Sequence, residues 1–220
     1  MAQRRVAVLI SGSGSNLQAL IDGCAAPSHP ARIVLVISNR TDTYGLQRAT
    51  RAGIPIRTID HRAFPDRATF DAAIDAALRQ AEVELICLAG FMRILTAAFV
   101  EAWRDRMLNV HPSLLPTFRG LHTHARALAA GVRAHGCTVH LVRAELDLGP
   151  IIVQGLVPVL DGDDADVLAG RVLELEHRCY PAALSLVASG RARVEEERIV
   201  VADERPGERL LLHPLLTGSA

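Results

Sequence analysis

Asn109 and His111 stand two apart inside the short apolar run MLNVH, and Pro112 follows at once. Residues two apart on a strand face the same way, so the two polar groups are presented together while Leu108 and Val110 turn into a core. Proline has no amide hydrogen and ends the strand there. Histidine moves protons near neutral pH, an effect worth roughly 10²–10⁴-fold in rate. Asparagine is an uncharged donor to a developing oxyanion, and losing one such donor costs roughly 2.7–4 kcal/mol. A carboxylate is still needed to orient the imidazole. Asp147 in ELDLGPII is available, although an Asp in such a turn commonly caps its own backbone. Spacing alone does not join it to His111.

A second chemical feature is SGSGSNL, residues 11–17. Gly12 and Gly14 let a ligand approach the backbone. The amides of Gly14, Ser15 and Asn16 would face outward at a helix N-terminus, where the helix dipole favours a phosphate. Two other readings compete. A dinucleotide fingerprint needs glycine at 17, where Leu17 stands, and an acid after the second strand, where Ser38, Asn39 and Arg40 stand. A turn without ligand would use Ser15 as helix N-cap. Glu176 lies against the apolar stripe of Val172, Leu175 and Cys179 on a long helical run, so its carboxylate is either paired with an arginine, the default, or reserved for a ligand. His122 and His124 form an H-x-H pair without a third metal ligand nearby. His140 shares a strand face with Thr138 and is read as a core or supporting histidine.

The elements that must position these groups alternate in kind. Residues 5–11, 31–38, 54–60 and 84–90 are β-branched apolar runs, and the helical patterns 17–26, 45–53 and 67–81 separate them. Such alternation implies a parallel sheet with helices on both faces and right-handed crossovers. Strands 107–111, 136–142 and 150–159 follow, with a helix ending at Gly131 and a long helix over 164–189, bent near Pro181. The expectation is an α/β fold: an open, mostly parallel Rossmann-like sheet flanked by helices, with a mixed C-terminal part. The glycine loop, AGFMRIL and the Asn109–His111 pair then share the carboxyl edge of the sheet, where open α/β sheets bind ligands. Pro112 and Pro116 are expected to stiffen the segment after His111. A single domain over 1–205 and a loosely ordered tail over 206–220 complete the expectation, with a short hairpin at 191–201.

The totals exclude several classes. The chain has 220 residues and a formal net charge of zero, without the basic excess of a nucleic-acid binder. A chain of this size buries about 70% of its unfolded surface and needs no disulfide or metal to fold. It contains no lysine, which excludes a P-loop and Schiff-base catalysis. Its four cysteines lie far apart, as buried reduced thiols in a cytoplasmic protein would. No signal-peptide pattern and no apolar run of membrane-spanning length is present.

LISGSGSNLQALID, LAGFMRIL, NVHPSLLP, GLHTH, ELDLGPII and LEHRCYP stand in one order and spacing from about residue 5 to about residue 190. In these motifs the chain resembles the folate-dependent phosphoribosylglycinamide formyltransferases of purine biosynthesis. The resemblance implies transfer of the formyl group of 10-formyltetrahydrofolate, a co-substrate, to the primary amine of glycinamide ribonucleotide, with no metal. It makes the expected single domain a formyltransferase domain. It implies catalytic roles for Asn109, His111 and Asp147. It implies ribonucleotide contacts for Gly14, Ser15, Asn16, Pro112 and Glu176, and folate contacts for Arg67, Met92, Arg93, Ile94, Leu95 and Asn109. Partners would be these small molecules, not nucleic acid or membrane, and the protein a monomer or homodimer. Leu148, after Asp147, departs from the small residue common there. Formyltetrahydrofolate hydrolase is the nearest rival, but it usually carries an extra N-terminal domain. Methionyl-tRNA formyltransferase adds a tRNA-binding domain and lacks the SGSGSN loop. A non-catalytic folate or nucleotide module would keep the loops without needing the trio.

Overall fold

The computed structural model describes residues 2–202, so the expected tail at 206–220 lies outside the described residues. The elements are β1 (Arg4–Ile10), α1 (Ser15–Gly23), β2 (Ala31–Ser38), α2 (Tyr44–Arg51), β3 (Ile56–Thr58), α3 (Arg67–Gln80), β4 (Leu85–Leu88) and α4 (Ala97–Ala102). They continue with β5 (Met107–His111), α5 (Thr123–Ala129), β6 (Ala134–Leu141), β7 (Ile151–Pro158), α6 (Ala165–Ala188), β8 (Ala192–Glu195) and β9 (Arg198–Val201).

Seven strands form one sheet in the order β3-β2-β1-β4-β5-β6-β7. The first five run parallel. β6 and β7 join antiparallel, and β8 and β9 form a separate hairpin. This is the expected open, mostly parallel Rossmann-like sheet with a mixed C-terminal part. The chain leaves β1 toward β2 and β3, then returns to place β4 and β5 on β1's other side. The crevice between β1 and β4 is therefore the topological switch point, where such sheets take ligands.

Both faces of the sheet are covered. Val6, Val8 and Ile10 of β1 pack with Leu17 and Leu20 of α1 and with Val172, Tyr180 and Leu184 of α6. The alternate residues Ala7 and Leu9 meet Phe70, Ile74 and Leu78 of α3 and Trp103 after α4. Strands buried on both sides read as unbroken apolar runs, which is why these were legible. In β5, Leu108 and Val110 are buried in the first core, as strand alternation predicts.

Several local details differ from expectation. The third strand shrinks to Ile56–Thr58 and is exposed, because it is an edge paired only with β2. α4 had no readable signal, since six residues are too few to show a period. α1 begins at Ser15, and its N-cap is Gly14 at φ 72° with no side-chain cap bond, so Ser15 is not the cap. α6 continues through Pro181 as one helix. All four cysteines are free, and Cys24 is only half-buried. No helix among the described residues is long and apolar enough to cross a membrane.

Candidate active site

Leu88 pairs with Leu9 on one side and with Asn109 on the other, so the carboxyl ends of β1, β4 and β5 lie side by side. Neighbouring strands are about 4.8 Å apart, which brings the three following segments within reach of one small molecule. Asn109 and His111 share a face of β5, as predicted. Their cross-strand partners on β6 are His140 and Thr138.

Asp147 closes the trio. Its Oδ2 lies 3.4 Å from His111 Nδ1 and accepts the Gly120 amide at 2.9 Å. The backbone at Asp147 is left-handed, φ 54°, which aspartate tolerates better than most residues. Its carboxylate thus reaches across to another segment rather than capping its own turn. The 3.4 Å contact is an ion-pair separation, longer than a well-formed hydrogen bond. The other ring nitrogen of His111, Nε2, lies 3.1 Å from the Phe118 carbonyl oxygen. A carbonyl only accepts, so Nε2 bears the proton. A doubly protonated ring serves both acceptors at once.

His140 orients Asn109. Its Nδ1 lies 3.0 Å from the Leu141 carbonyl, so Nδ1 carries hydrogen and donates. Burial pulls the His140 pKa below its ordinary value, outweighing that bond and the nearby Asp147 charge. In the neutral ring Nε2 is then an acceptor, and the Asn109 Nδ2 amide donates to it at 3.2 Å. The second hydrogen of that amide stays available. Thr138, cross-strand from His111, stitches the next segment down: its Oγ1 donates to the Ser113 carbonyl and accepts from the Leu115 amide. Gln154 of β7 donates to the Leu115 carbonyl and to Thr138. Pro112 is half-buried at the end of β5. The segment after His111 is therefore tied by hydrogen bonds as well as restrained by prolines.

The glycine loop faces a cleft of about 220 Å³, bounded on one side by residues 11–16 and on the other by Ala89, Gly90 and Met92. Asn16 turns inward and donates to Glu176 Oε2 at 2.7 Å. The default arginine pairing of Glu176 is thereby corrected: its partner is an uncharged amide, because at this depth on α6 the facing element is α1. Burial pushes the Glu176 carboxyl up to about 6, opposed by the Asn16 bond. The side-chain oxygen of Asn16 is buried without a partner.

The segment 91–96 has neither helix nor strand. Met92, Arg93 and Ile94 are exposed and Leu95 is half-buried, so an apolar surface is held out toward solvent. The Met92 amide donates to Ser11 Oγ and the Thr96 amide to Asp71 Oδ2. Arg67, exposed, opens α3 one turn ahead of Phe70, whose ring stacks on Phe91. His122 precedes α5 without a capping bond. His124 packs edge-on against His135, and no group of three metal-ligating side chains exists among the described residues. Residues to which the sequence reading gave no individual role are those bonded through space or by backbone: Ser11, Asp71, Phe118, Gly120 and Gln154.

The family model described as formyl transferase matches residues 4–184. The trifunctional purine biosynthetic protein adenosine-3 of Gallus gallus is 55% identical over 192 residues, covering 87% of this chain and 19% of that protein. The chain thus spans about a fifth of that curated relative. Phosphoribosylglycinamide formyltransferase of Escherichia coli (strain K12) is 46% identical over 191 residues, covering 87% of this chain and 90% of that one. The crystal structure of glycinamide ribonucleotide transformylase 1 from Symbiobacterium toebii superposes with TM-score 0.89 at 49% identity, over 91% of this chain and 95% of that one. A formyltetrahydrofolate deformylase structure from Pseudomonas syringae reaches TM-score 0.85 at 26% identity, over 92% of this chain and 67% of that one. A family match across most of the length, on a sheet whose β5 end brings Asn109, His111 and Asp147 together, leads to one conclusion: the chain belongs to the formyl transferase family.

Proposed function

We propose that this protein transfers the formyl group of 10-formyltetrahydrofolate to the primary amine of glycinamide ribonucleotide. The observation that carries the reading is the 46% identity over nine-tenths of a phosphoribosylglycinamide formyltransferase, together with the His111–Asp147 contact at the carboxyl end of β5. Attack of the amine on the formyl carbon creates a tetrahedral oxyanion beside a cationic nitrogen. The free Asn109 amide hydrogen and a protonated His111 stabilise that oxyanion. His111 passes its proton to the leaving folate nitrogen as the C–N bond to the folate breaks and recovers one from the cationic amine nitrogen, while Asp147 keeps the ring oriented. Both His111 nitrogens already face protein acceptors, so delivering the proton requires releasing Phe118 or Asp147. The amides at Gly14–Asn16 take the phosphate, with Pro112 and Glu176 beside the ribose and glycinamide. Arg67 and Met92–Leu95 surround the folate. The partners are these small molecules alone, in the cytoplasm, with the protein a monomer or homodimer.

The deformylase reading is separated by assay. Formyl transfer should require glycinamide ribonucleotide, and deformylation at equal rate without that amine would sink the proposal. His111→Ala and Asp147→Asn should each lower turnover roughly 10²–10⁴-fold with the circular dichroism spectrum intact. Near-normal turnover of Asp147→Asn would leave Asp147 a turn residue.

A further inference from the structure

We propose that Ser11 and Asp71 are positioning residues that hold segment 91–96 open as the folate-facing wall of the cleft. The proposal rests on the formyl-transfer reading above and deepens it. It assigns the stiffness of that wall to two side chains to which the sequence reading gave no role.

The segment lacks a hydrogen-bonded ladder, yet it keeps Met92 71% and Ile94 64% exposed. Its carbonyl at Thr96 accepts the Val100 amide at the start of α4, but residues 91–95 show no backbone partner among the described residues, and an apolar stretch so placed would gain by folding onto the core. Two side-chain oxygens oppose that collapse. Ser11 Oγ accepts the Met92 amide at 2.8 Å, and Asp71 Oδ2 accepts the Thr96 amide at 2.7 Å. They grip the segment near its two ends and leave the apolar side chains between them facing out. Phe70, the neighbour of Asp71 on α3, stacks on Phe91 with rings 8° from parallel, which fixes the entry to the segment from the same helix.

Stability is a poor explanation for Asp71. Its side chain is 3% exposed, and its Oδ1 is buried without a hydrogen-bond partner. Burying a carboxylate for a single amide bond costs more than an uncharged acceptor would. A carboxylate that gains little for the fold but fixes a binding wall is the pattern expected where positioning outweighs stability. Ser11 adds a link between the substrates. Its backbone opens the glycine loop and its hydroxyl holds Met92, so both walls of the 220 Å³ cleft meet in one residue.

The test compares Ser11→Ala, Asp71→Ala and Asp71→Asn with wild type. The readouts are the Kd of a non-transferable folate analogue by calorimetry, the KM of each substrate and the Tm. Asp71→Ala and Ser11→Ala should each weaken folate-analogue binding about tenfold or somewhat less, the value of one amide bond. Turnover at saturation should be retained. Asp71→Asn should bind the analogue like wild type, because its amide oxygen still accepts from Thr96. Lowered Tm with unchanged folate Kd in both alanine variants would overturn the proposal. So would an Asp71→Asn variant as weak as Asp71→Ala. If Asp71→Ala does not fold, Ser11→Ala, which removes one hydroxyl, decides alone. Failure of wild type to transfer formyl groups sinks the functional reading itself. Wild-type transfer with unaffected variants sinks only the assignment of Ser11 and Asp71.

Discussion

Glu176 shows what a single buried carboxylate does here. Its pKa is raised by burial, so the fold favours the neutral acid, and the Asn16 amide is its one hydrogen-bond partner among the described residues. A ribose hydroxyl reaching that carboxylate would donate to the oxygen that Asn16 leaves free. Glu176→Gln keeps an oxygen to accept from Asn16 but puts an amide donor where the ligand's hydroxyl would find an acceptor. The ribonucleotide KM should therefore rise several-fold, on the order of one charged hydrogen bond, with folate KM unchanged. Steady-state kinetics on both substrates checks this, and an unchanged ribonucleotide KM would return Glu176 to a structural role. At this scale the sequence was informative about faces and silent about partners. Strand alternation placed Asn109 and His111 together, and helical spacing placed Glu176 on the buried stripe. Nothing local could say that Glu176 meets Asn16, 160 residues away, or that Asp147 reaches His111.

At the scale of elements, the site depends on β6 as much as on β5. His140 holds the Asn109 amide, and Thr138 ties down the chain after His111. Thr138→Val keeps the shape and deletes the hydroxyl, leaving the Leu115 amide and Ser113 carbonyl without that partner. The expected cost is roughly 1–3 kcal/mol, a fall in Tm of about 2–4 °C for each kcal/mol in a chain of this size. Turnover should fall as well, because the tether of the His111 segment is gone. Thermal melts with kinetics on the same sample test both parts. Strands and long helices were legible from period and composition. β3 was legible as a strand but read too long, since an exposed edge pairs over only three residues, and α4 was not legible, because a helix of six carries too little pattern. The antiparallel turn from β5 to β6 was suggested only by the change of rhythm after residue 105.

For the whole molecule, two buried groups pull stability in opposite directions with pH. His135, packed against Phe118 and His124, has its pKa lowered from 6.5 to about 4, first by burial and then by His124 and His111, against the Pro112 carbonyl. The fold therefore binds fewer protons there than the unfolded chain. That contribution is complete above pH 6.5 and is lost as pH falls toward 4. Glu176 behaves oppositely: its contribution is complete below pH 4.5 and is lost as pH rises through about 6. The two slopes offset each other across that window. His135→Leu should leave a Tm that declines as pH rises from 4.5 to 6, and Glu176→Gln one that climbs. Parallel Tm-against-pH curves for both variants and wild type would refute this assignment.

The glycine loop carries a lesson for protein design. A Cβ added to Gly14 would come within 2.6 Å of the Gly45 Cα, and one added to Gly45 within 2.5 Å of Ile10. The Gly45 amide also donates to the Gly12 carbonyl. The turn after β1 is thus seated directly on the first turn of α2, backbone against backbone. Grafting SGSGSN into another parallel sheet would transplant only half of a joint. A recipient scaffold must also supply a bare glycine at the start of its second helix, a residue that stands in none of the quoted motifs.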